Sequence, residues 1–402
     1  MAAVAAGPLA GLRILDISTV VAAPWSATLL ADLGATVLKV EVPGRGDLLR
    51  ALAPHKNGVP LWWKVANRNK KGITLDLKKD EGRALFERLL PRFDVLIENF
   101  RPGTLDKWGL PKERLFAINP KLTVLRVTGF GQTGPYRDKP AFARVAEAIS
   151  GFTHICGEPD RPPVHMGFPV ADAVTGLFGA VGILAALYRR AQKPDEPGQE
   201  IDLSLVESTF RMLDFLPIEY DQLGIVRERV GNLSDYSAPS NVYRSSEGTW
   251  ITIPASSQNI FVRLCRALSR DDVAEDARFV TNADRVRNRS VLDQIIAEEI
   301  ARRTLAELQT LFDHHEVGWS PIHSIADVFA DPHFQARESI VSVEDPELGP
   351  VKMQNVVPRF SNTAGQVTSA GPALGQHNDE IYRDMLGLSD DELKRLKAAE
   401  VI

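Results

Sequence analysis

Asp172 is the residue whose surroundings best suit covalent chemistry. It is the only ionised side chain of Gly167–Arg190 (GFPVADAVTGLFGAVGILAALYRR) ahead of Arg189. Pro169, three residues earlier, is a helix-start signal, so Asp172 falls in the first turn of a largely apolar helix. Two effects compete there: desolvation raises a carboxylate's pKa, and the positive end of the helix lowers it. A carboxylate kept ionised but poorly solvated is a usable nucleophile. Gly176, Gly179 and Gly182 recur along the same helix and leave a groove free of side chains, open to a ligand or another backbone. A plainer reading also fits: Asp172 as a simple N-cap, and glycines that let helices pack. The residues alone leave both open.

A second group is cationic. Asn67–Gly72 (NRNKKG) follows Arg45 and Arg50 and precedes Lys78 and Lys79. It lies between a helix and a strand, where phosphates dock in open α/β sheets; a solvated turn is the alternative. A third is Thr128–Pro135 (TGFGQTGP), whose glycines after a strand give a backbone able to touch a ligand or cradle an oxyanion, or else a plain mobile loop. Other chemistries lack their signatures. There is no GxxxxGKS/T loop, Gly44-Arg45-Gly46 does not extend to GxGxxG, and no GxSxG elbow is present. The histidines are scattered apart from His314 and His315, and they make no HExxH spacing, so no metal site is expected.

These residues need a frame. Leu12–Ile17, Thr36–Val42, Leu75–Leu77, Asp94–Phe100 and Leu122–Val127 read as strands, with Pro24–Leu33 and Asp80–Arg92 as helices. Strands and helices in alternation argue for an open, mostly parallel α/β sheet. The charge-free run Ala173–Tyr188 reads as a buried helix, too short for a membrane span. After Lys193–Gln199 (KPDEPGQ), a connector, Ile201–Leu205 is one more strand and is followed by a helix through Asp214. Val242–Pro254 reads as a hairpin turning at Glu247 and Gly248. Ile260–Leu268 and Ser290–Leu311 read as helices, Val341–Arg359 contains a Gly349-Pro350 turn, and Asn378–Ala399 is a helical tail.

Composition narrows the class. A chain of 402 residues with 44% hydrophobic and 25% charged content is globular, with roughly two or three domains. Lys plus Arg is 47 against 52 Asp plus Glu, a net charge of −5, so neither nucleic acid nor a membrane surface is an expected partner. Two cysteines, Cys156 and Cys265, exclude a disulfide framework. Met1–Pro8 lacks the basic residues and long apolar core of a signal peptide, and a cytoplasmic location is expected.

Taken together, the segments resemble the class III CoA-transferases, the superfamily of formyl-CoA transferase and carnitine CoA-transferase. The likeness runs through PLAGLRILDIS (Pro8–Ser18), AAP (Ala22–Pro24), ADLGATVLKVE (Ala31–Glu41), PGRGD (Pro43–Asp47) and NRNKKGITLDLK (Asn67–Lys78). It continues through VLIENFRPGTLDKWGL (Val95–Leu110), TGFGQTGP, ADAVTG, PALGQH (Pro372–His377) and the AAEVI tail. Each segment is weak alone; their order and spacing are specific.

The resemblance implies an α/β fold: a large Rossmann-like open-sheet domain built by both chain ends, plus a small inserted α+β domain. The expected division is residues 1–200 for the first part of the large domain, 201–224 for a linker, 225–325 for the small domain, and 326–402 for the return. Two chains are expected to interlock as a homodimer; some relatives instead pair as heteromeric subunits, and a non-catalytic subunit is one alternative. The family's nucleophile falls on Asp172, which would carry CoA as an aspartyl thioester between a donor acyl-CoA and a free acid. Coenzyme A is then a substrate, and no permanent cofactor or metal is implied. The family's CoA contacts fall on Val21, Val42, Leu75 to Lys78, Lys107 and Lys139, with Arg45 a further phosphate partner. Val21 stands where formyl-CoA transferase has glutamine, and Val42 where it has a basic residue, which argues against formyl and oxalate as substrates. A dicarboxylyl donor such as succinyl-CoA is expected, with Arg144 and His165 as candidates for its second carboxylate and Trp25, Trp62 and Trp63 for an apolar wall. The racemase branch of the superfamily is the other alternative; its acid/base histidine and aspartate would fall on Phe142 and Ala143, and its further glutamate near Gln258, none of them ionisable.

Overall fold

In the computed structural model, which describes residues 7–402, the apolar runs become six parallel strands. They are β1 (Arg13–Asp16), β2 (Thr36–Glu41), β3 (Lys70–Thr74), β4 (Val95–Glu98), β5 (Thr123–Thr128) and β6 (Gln199–Ser204). Most of Met1–Pro8, read above for a leader, lies outside the described residues. The strand order is β3-β2-β1-β4-β5-β6, that of a doubly wound sheet. In such a sheet the order reverses at β1 and β4, whose carboxyl ends part and leave a crevice. The third strand starts at Lys70 and stops before the expected Leu75–Leu77 run; Lys70, buried by its pairing with Asp16, disguises the strand as a polar segment.

The large unit comprises the described residues up to Phe152, with His165–Ile218 and His333–Ile402. Residues 201–224, expected as a linker, open with the end of β6 and continue into a helix, because β6 completes the sheet. Its helices used below are α1 (Ala22–Asp32), α2 (Leu61–Ala66), α3 (Asp80–Leu89), α4 (Thr104–Lys107), α5 (Ala143–Ile149), α6 (Val170–Gln192) and α7 (Leu205–Arg211). One core layer sits under α3 and the C-terminal segment, around Leu15, Leu38, Phe86, Leu96 and Tyr382; the other lies under α1 and α6, around Ile14, Leu30, Val95, Leu125 and Ile183.

The glycines of α6 are explained by α1. A Cβ on Gly176 would come within 3.1 Å of Ala22 O and Trp25 Cβ, and one on Gly179 would strike Ser26 Oγ at 2.2 Å. Ser26 Oγ donates to Gly176 O at 3.0 Å across the same contact. The groove thus receives a helix rather than a ligand. By length and composition α6 also matches a membrane span, yet one side packs on α1, β5 and β6. The expectation of a buried helix fails on its other side, where Leu177, Val181 and Tyr188 are exposed and no described residue covers that face.

A buried charge network underlies the sheet's upper edge. Asp16 ends β1, and its carboxylate takes Lys70 Nζ at 2.9 Å and lies 3.6 Å from Lys39 Nζ. Lys39 also pairs with Asp47 at 3.4 Å, and Lys70 donates to Pro24 O and Asn67 Oδ1. Burial alone would push Asp16 up; the two ammonium groups outweigh it and hold the carboxyl below its usual range. Burial brings Lys70 down to about 8 against the pull of Asp16.

Edge strand β3 is closed by the C-terminal segment. Gly72 N–H donates to His377 Nδ1 at 3.0 Å, Thr74 N–H donates to Asn378 Oδ1 at 2.9 Å, and Tyr382 OH donates to Thr74 O at 2.6 Å. Val401 O accepts from Asp76 N–H. The expected single tail helix is broken, with the second part at Asp390–Ala398, because Gly387 turns at φ +72° and Ser389 caps a new start.

The second unit, Thr153–Val164 with Glu219–Pro332, has an antiparallel sheet of Ser240–Arg244, Trp250–Pro254 and Ser320–Pro321. Its core gathers Tyr243, Ile251, Phe261, Phe279, Leu292 and Phe312. The expected helix Ser290–Leu311 is two, Arg289–Ala301 and Leu305–His314, because Thr304 and Glu307 form a capping box that starts the second.

Candidate active site at the sheet's switch point

Asp172 lines a cavity of about 280 Å³ in the crevice between β1 and β4. Thr19 to Ala22 form one wall, Asn99 to Pro102 a second, Thr128 and Gly129 a third, and Arg137 with Lys139 to Phe142 the fourth. The first wall is held in place from both sides. Asn99 accepts from Thr19 N–H at 2.8 Å and donates to Thr19 O at 2.7 Å. Asp47 accepts the N–H of Val20, a β-branched residue in the left-handed region at φ +69°. That conformation costs on the order of 1–3 kcal/mol and persists only where its surroundings fix it.

Asp172 is not the N-cap of α6. Pro169 holds that place, and Asp172 is the third helical residue, half-buried, with no hydrogen bond donated to its carboxylate by any described residue. Burial, with the negative Glu147 behind it, pushes its carboxyl up to about 6. The remaining charged side chains of the lining are Arg101, Arg137 and Lys139. At neutral pH the site therefore holds one poorly solvated, mostly ionised carboxylate among three cations.

Of the residues expected from sequence, Val21 and Lys139 line this cavity with Asp172. Val42, Arg45, Leu75 and Lys78 line a neighbouring cavity of about 120 Å³, which shares Thr19 and Phe100 with the first. Lys78 Nζ lies 5.9 Å from the Trp108 ring there. Lys107 sits exposed on α4, outside both linings. The Asn67–Gly72 patch is mostly not a phosphate site: Asn67, Arg68 and Lys70 are buried, Arg68 on Asp32 and Lys70 on Asp16, because distant carboxylates consume the charge.

TGFGQTGP contributes only Thr128 and Gly129 to the wall; Gly131 and Gln132 N–H groups are taken by Thr128 Oγ1 and Asp202. Trp63 is core, donating Nε1–H to Pro372 O at 2.7 Å, while Trp25 and Trp62 line a separate cavity with Phe168. Arg144 is exposed, and His165 Nδ1 lies 2.9 Å from Glu147; neither lines the Asp172 cavity. Phe142, where a proton-shuttling histidine would be needed, is 71% exposed on the rim. Sequence reasoning missed Asn99, Arg101 and Arg137. The first two follow β4 at the switch point and had a positional signal; Arg137 had none.

The family model for CoA-transferase family III matches residues 9–378. The chain is 46% identical over 396 residues to succinyl-CoA–D-citramalate CoA-transferase of Chloroflexus aurantiacus, covering 98% of each chain. It is 41% identical to the beta subunit of succinyl-CoA–L-malate CoA-transferase from the same organism, again covering 98% of each. Among solved structures, a CAIB/BAIF family protein from Brucella suis superposes with a TM-score of 0.84 at 35% identity, over 94% of this chain and 100% of that one.

Proposed function

The chain belongs to CoA-transferase family III, and we propose that it moves CoA from succinyl-CoA, or another dicarboxylyl-CoA, to a free dicarboxylic acid through Asp172. An Asp172 oxygen attacks the donor thioester carbonyl, the C–S bond breaks, and CoA thiolate leaves a mixed anhydride. The thiolate then attacks the Asp172 carbonyl, expelling the donor as its carboxylate and forming the aspartyl-CoA thioester. The acceptor carboxylate attacks that thioester, and thiolate returns to the acceptor's acyl carbon. Asp172 is regenerated, and every bond broken is matched by one of similar energy. Arg101, Arg137 and Lys139 favour the anionic partners and the oxyanions. The observation that supports this reading most is the placement of Asp172 as the only carboxylate, among the described residues, lining a cationic cavity at the switch point. The names of the relatives support dicarboxylic substrates.

The test is to incubate the purified chain with succinyl-CoA and a panel of free acids, read by mass, with hydroxylamine trapping. Exchange into dicarboxylic acids and a trapped modification on Asp172 are expected. Exchange of α-protons in heavy water without CoA transfer would overturn the reading. Light scattering on the same sample reads assembly. A homodimer is our reading, because α6 and the adjoining α7 region leave Leu177, Val181, Tyr188, Phe210 and Met212 exposed. An inactive chain that gains exchange on adding a second subunit would favour the heteromeric alternative.

Arg45, Lys78 and Trp108 form the nucleotide end of the same proposal. Lys78→Ala is expected to raise KM for acyl-CoA roughly tenfold, with kcat little changed, because an exposed phosphate contact supplies uniform binding. The effect should shrink in high salt. An unchanged KM at low salt would place the phosphates elsewhere.

A further inference from the structure

Glu147 is a buried carboxylate that the transfer chemistry does not use. It sits on α5, 2% exposed, and outside the lining of the Asp172 cavity. One oxygen lies 2.9 Å from His165 Nδ1, and the other accepts the N–H of Ala171 at 3.4 Å. Ala171 is in the first turn of α6, next to the nucleophile, and that helix has no side-chain cap because Pro169 stands at its N-cap. A helix start leaves its first N–H groups without partners. Here one of them is met from another helix, by a group that also carries charge.

We propose that Glu147, tied to His165, is a positioning residue for Asp172: it fixes the first turn of α6 from α5 and places a like charge behind the nucleophile. The inference rests on Asp172 being the nucleophile. The charged groups around Asp172 are Glu147, with His165, from α5 and the segment before α6; Arg101 from the turn after β4; and Arg137 and Lys139 from the loop after β5. The lining residues from α1 and α7, Ala22 and Leu205, carry no charge. Glu147 is thus the one group of this set that opposes the ionisation of Asp172, and its negative charge adds to burial in raising that carboxyl.

Two substitutions separate the two roles. Glu147→Gln keeps the reach and an acceptor oxygen but removes the charge. Glu147→Asp keeps the charge but withdraws it by one methylene. The readout is the rate at which succinyl-CoA labels Asp172, followed across pH in a single turnover, with thermal midpoints as a check on folding. In E147Q the acid limb is expected to move down by about one pH unit, with the plateau within a few-fold of the parent. In E147D the plateau is expected to fall roughly tenfold while the limb stays, as for a misaligned nucleophile. Either variant tests its own half if the other fails to fold. A folded E147Q with an unmoved limb, or a folded E147D with an unmoved plateau, overturns the corresponding role. Absence of label on Asp172 in the parent chain would instead sink the nucleophile assignment itself.

Discussion

Asp172→Asn is expected to abolish CoA transfer and, at neutral pH, to make the protein more stable. The loss of activity follows from covalent catalysis: an amide is no nucleophile toward a thioester, so turnover should fall by on the order of 10³-fold or more and the hydroxylamine-trapped adduct should vanish. The gain in stability follows from linkage. The folded-state carboxyl is pushed up to about 6 from an ordinary 3.8, so folding works against its ionised form. That penalty is fully present above about pH 6 and disappears as pH falls below about 4, where the carboxyl is protonated in both states. A displacement of this size corresponds to up to about 3 kcal/mol, less after solvent reaches the partly exposed side chain. Chemical denaturation at pH 7 and at pH 4 reads it directly. The Asn variant should unfold at higher denaturant than the parent at pH 7 and lose that advantage at pH 4. A fully active Asn variant would mean that Asp172 is not the nucleophile, and one with no stability advantage at pH 7 that it is not a desolvated charge.

Lys70→Met should be the most destabilising single change among the residues described, together with Asp16→Leu. Each breaks a pair in which both partners are shielded from water, with Nζ to carboxylate at 2.9 Å. Removing one partner takes from the other its closest counter-charge in a dry site, at a cost of about 3–5 kcal/mol. The double variant should lose clearly less than the sum of the two, since Lys39 keeps Asp47 as a partner. Urea midpoints for the four species check this, and additive losses would show that the pair is not coupled. The same network reaches the active site: Asp47 holds the backbone of Val20, so a chain that survives these changes should also transfer CoA more slowly.

Much of the architecture could be read from the chain. β1, β2, β4 and β5 announce themselves by apolar stretches such as Ile14-Leu15 and Val95–Ile97, because strands buried on both faces are rich in branched apolar residues. Asp172 was legible for the opposite reason, as one charge in a long apolar run. Lys70 misled, because a lysine neutralised by Asp16 looks in sequence like one meeting water or phosphate, and its partner lies 54 positions away. The glycines of α6 gave no sign of whether a helix or a ligand would fill the space they leave. Glu147 and Arg137 carry no local pattern at all; what they face is decided by how α5 and the loop after β5 fold back onto the crevice.

The closure of β3 by residues from 372 onward has a consequence for biosynthesis. During translation, β3 leaves the ribosome about 300 residues before His377, Asn378 and Tyr382, which occupy its outer edge. For most of elongation the nascent protein therefore carries an unguarded strand with free amide and carbonyl groups, the kind of surface that seeds misassembly. Chaperones meet a polypeptide whose sheet is sealed only when residues 377 to 382 emerge. A stop codon introduced just before His377 would keep Asp172 and the residues lining its cavity in the chain, yet yield a product prone to aggregate.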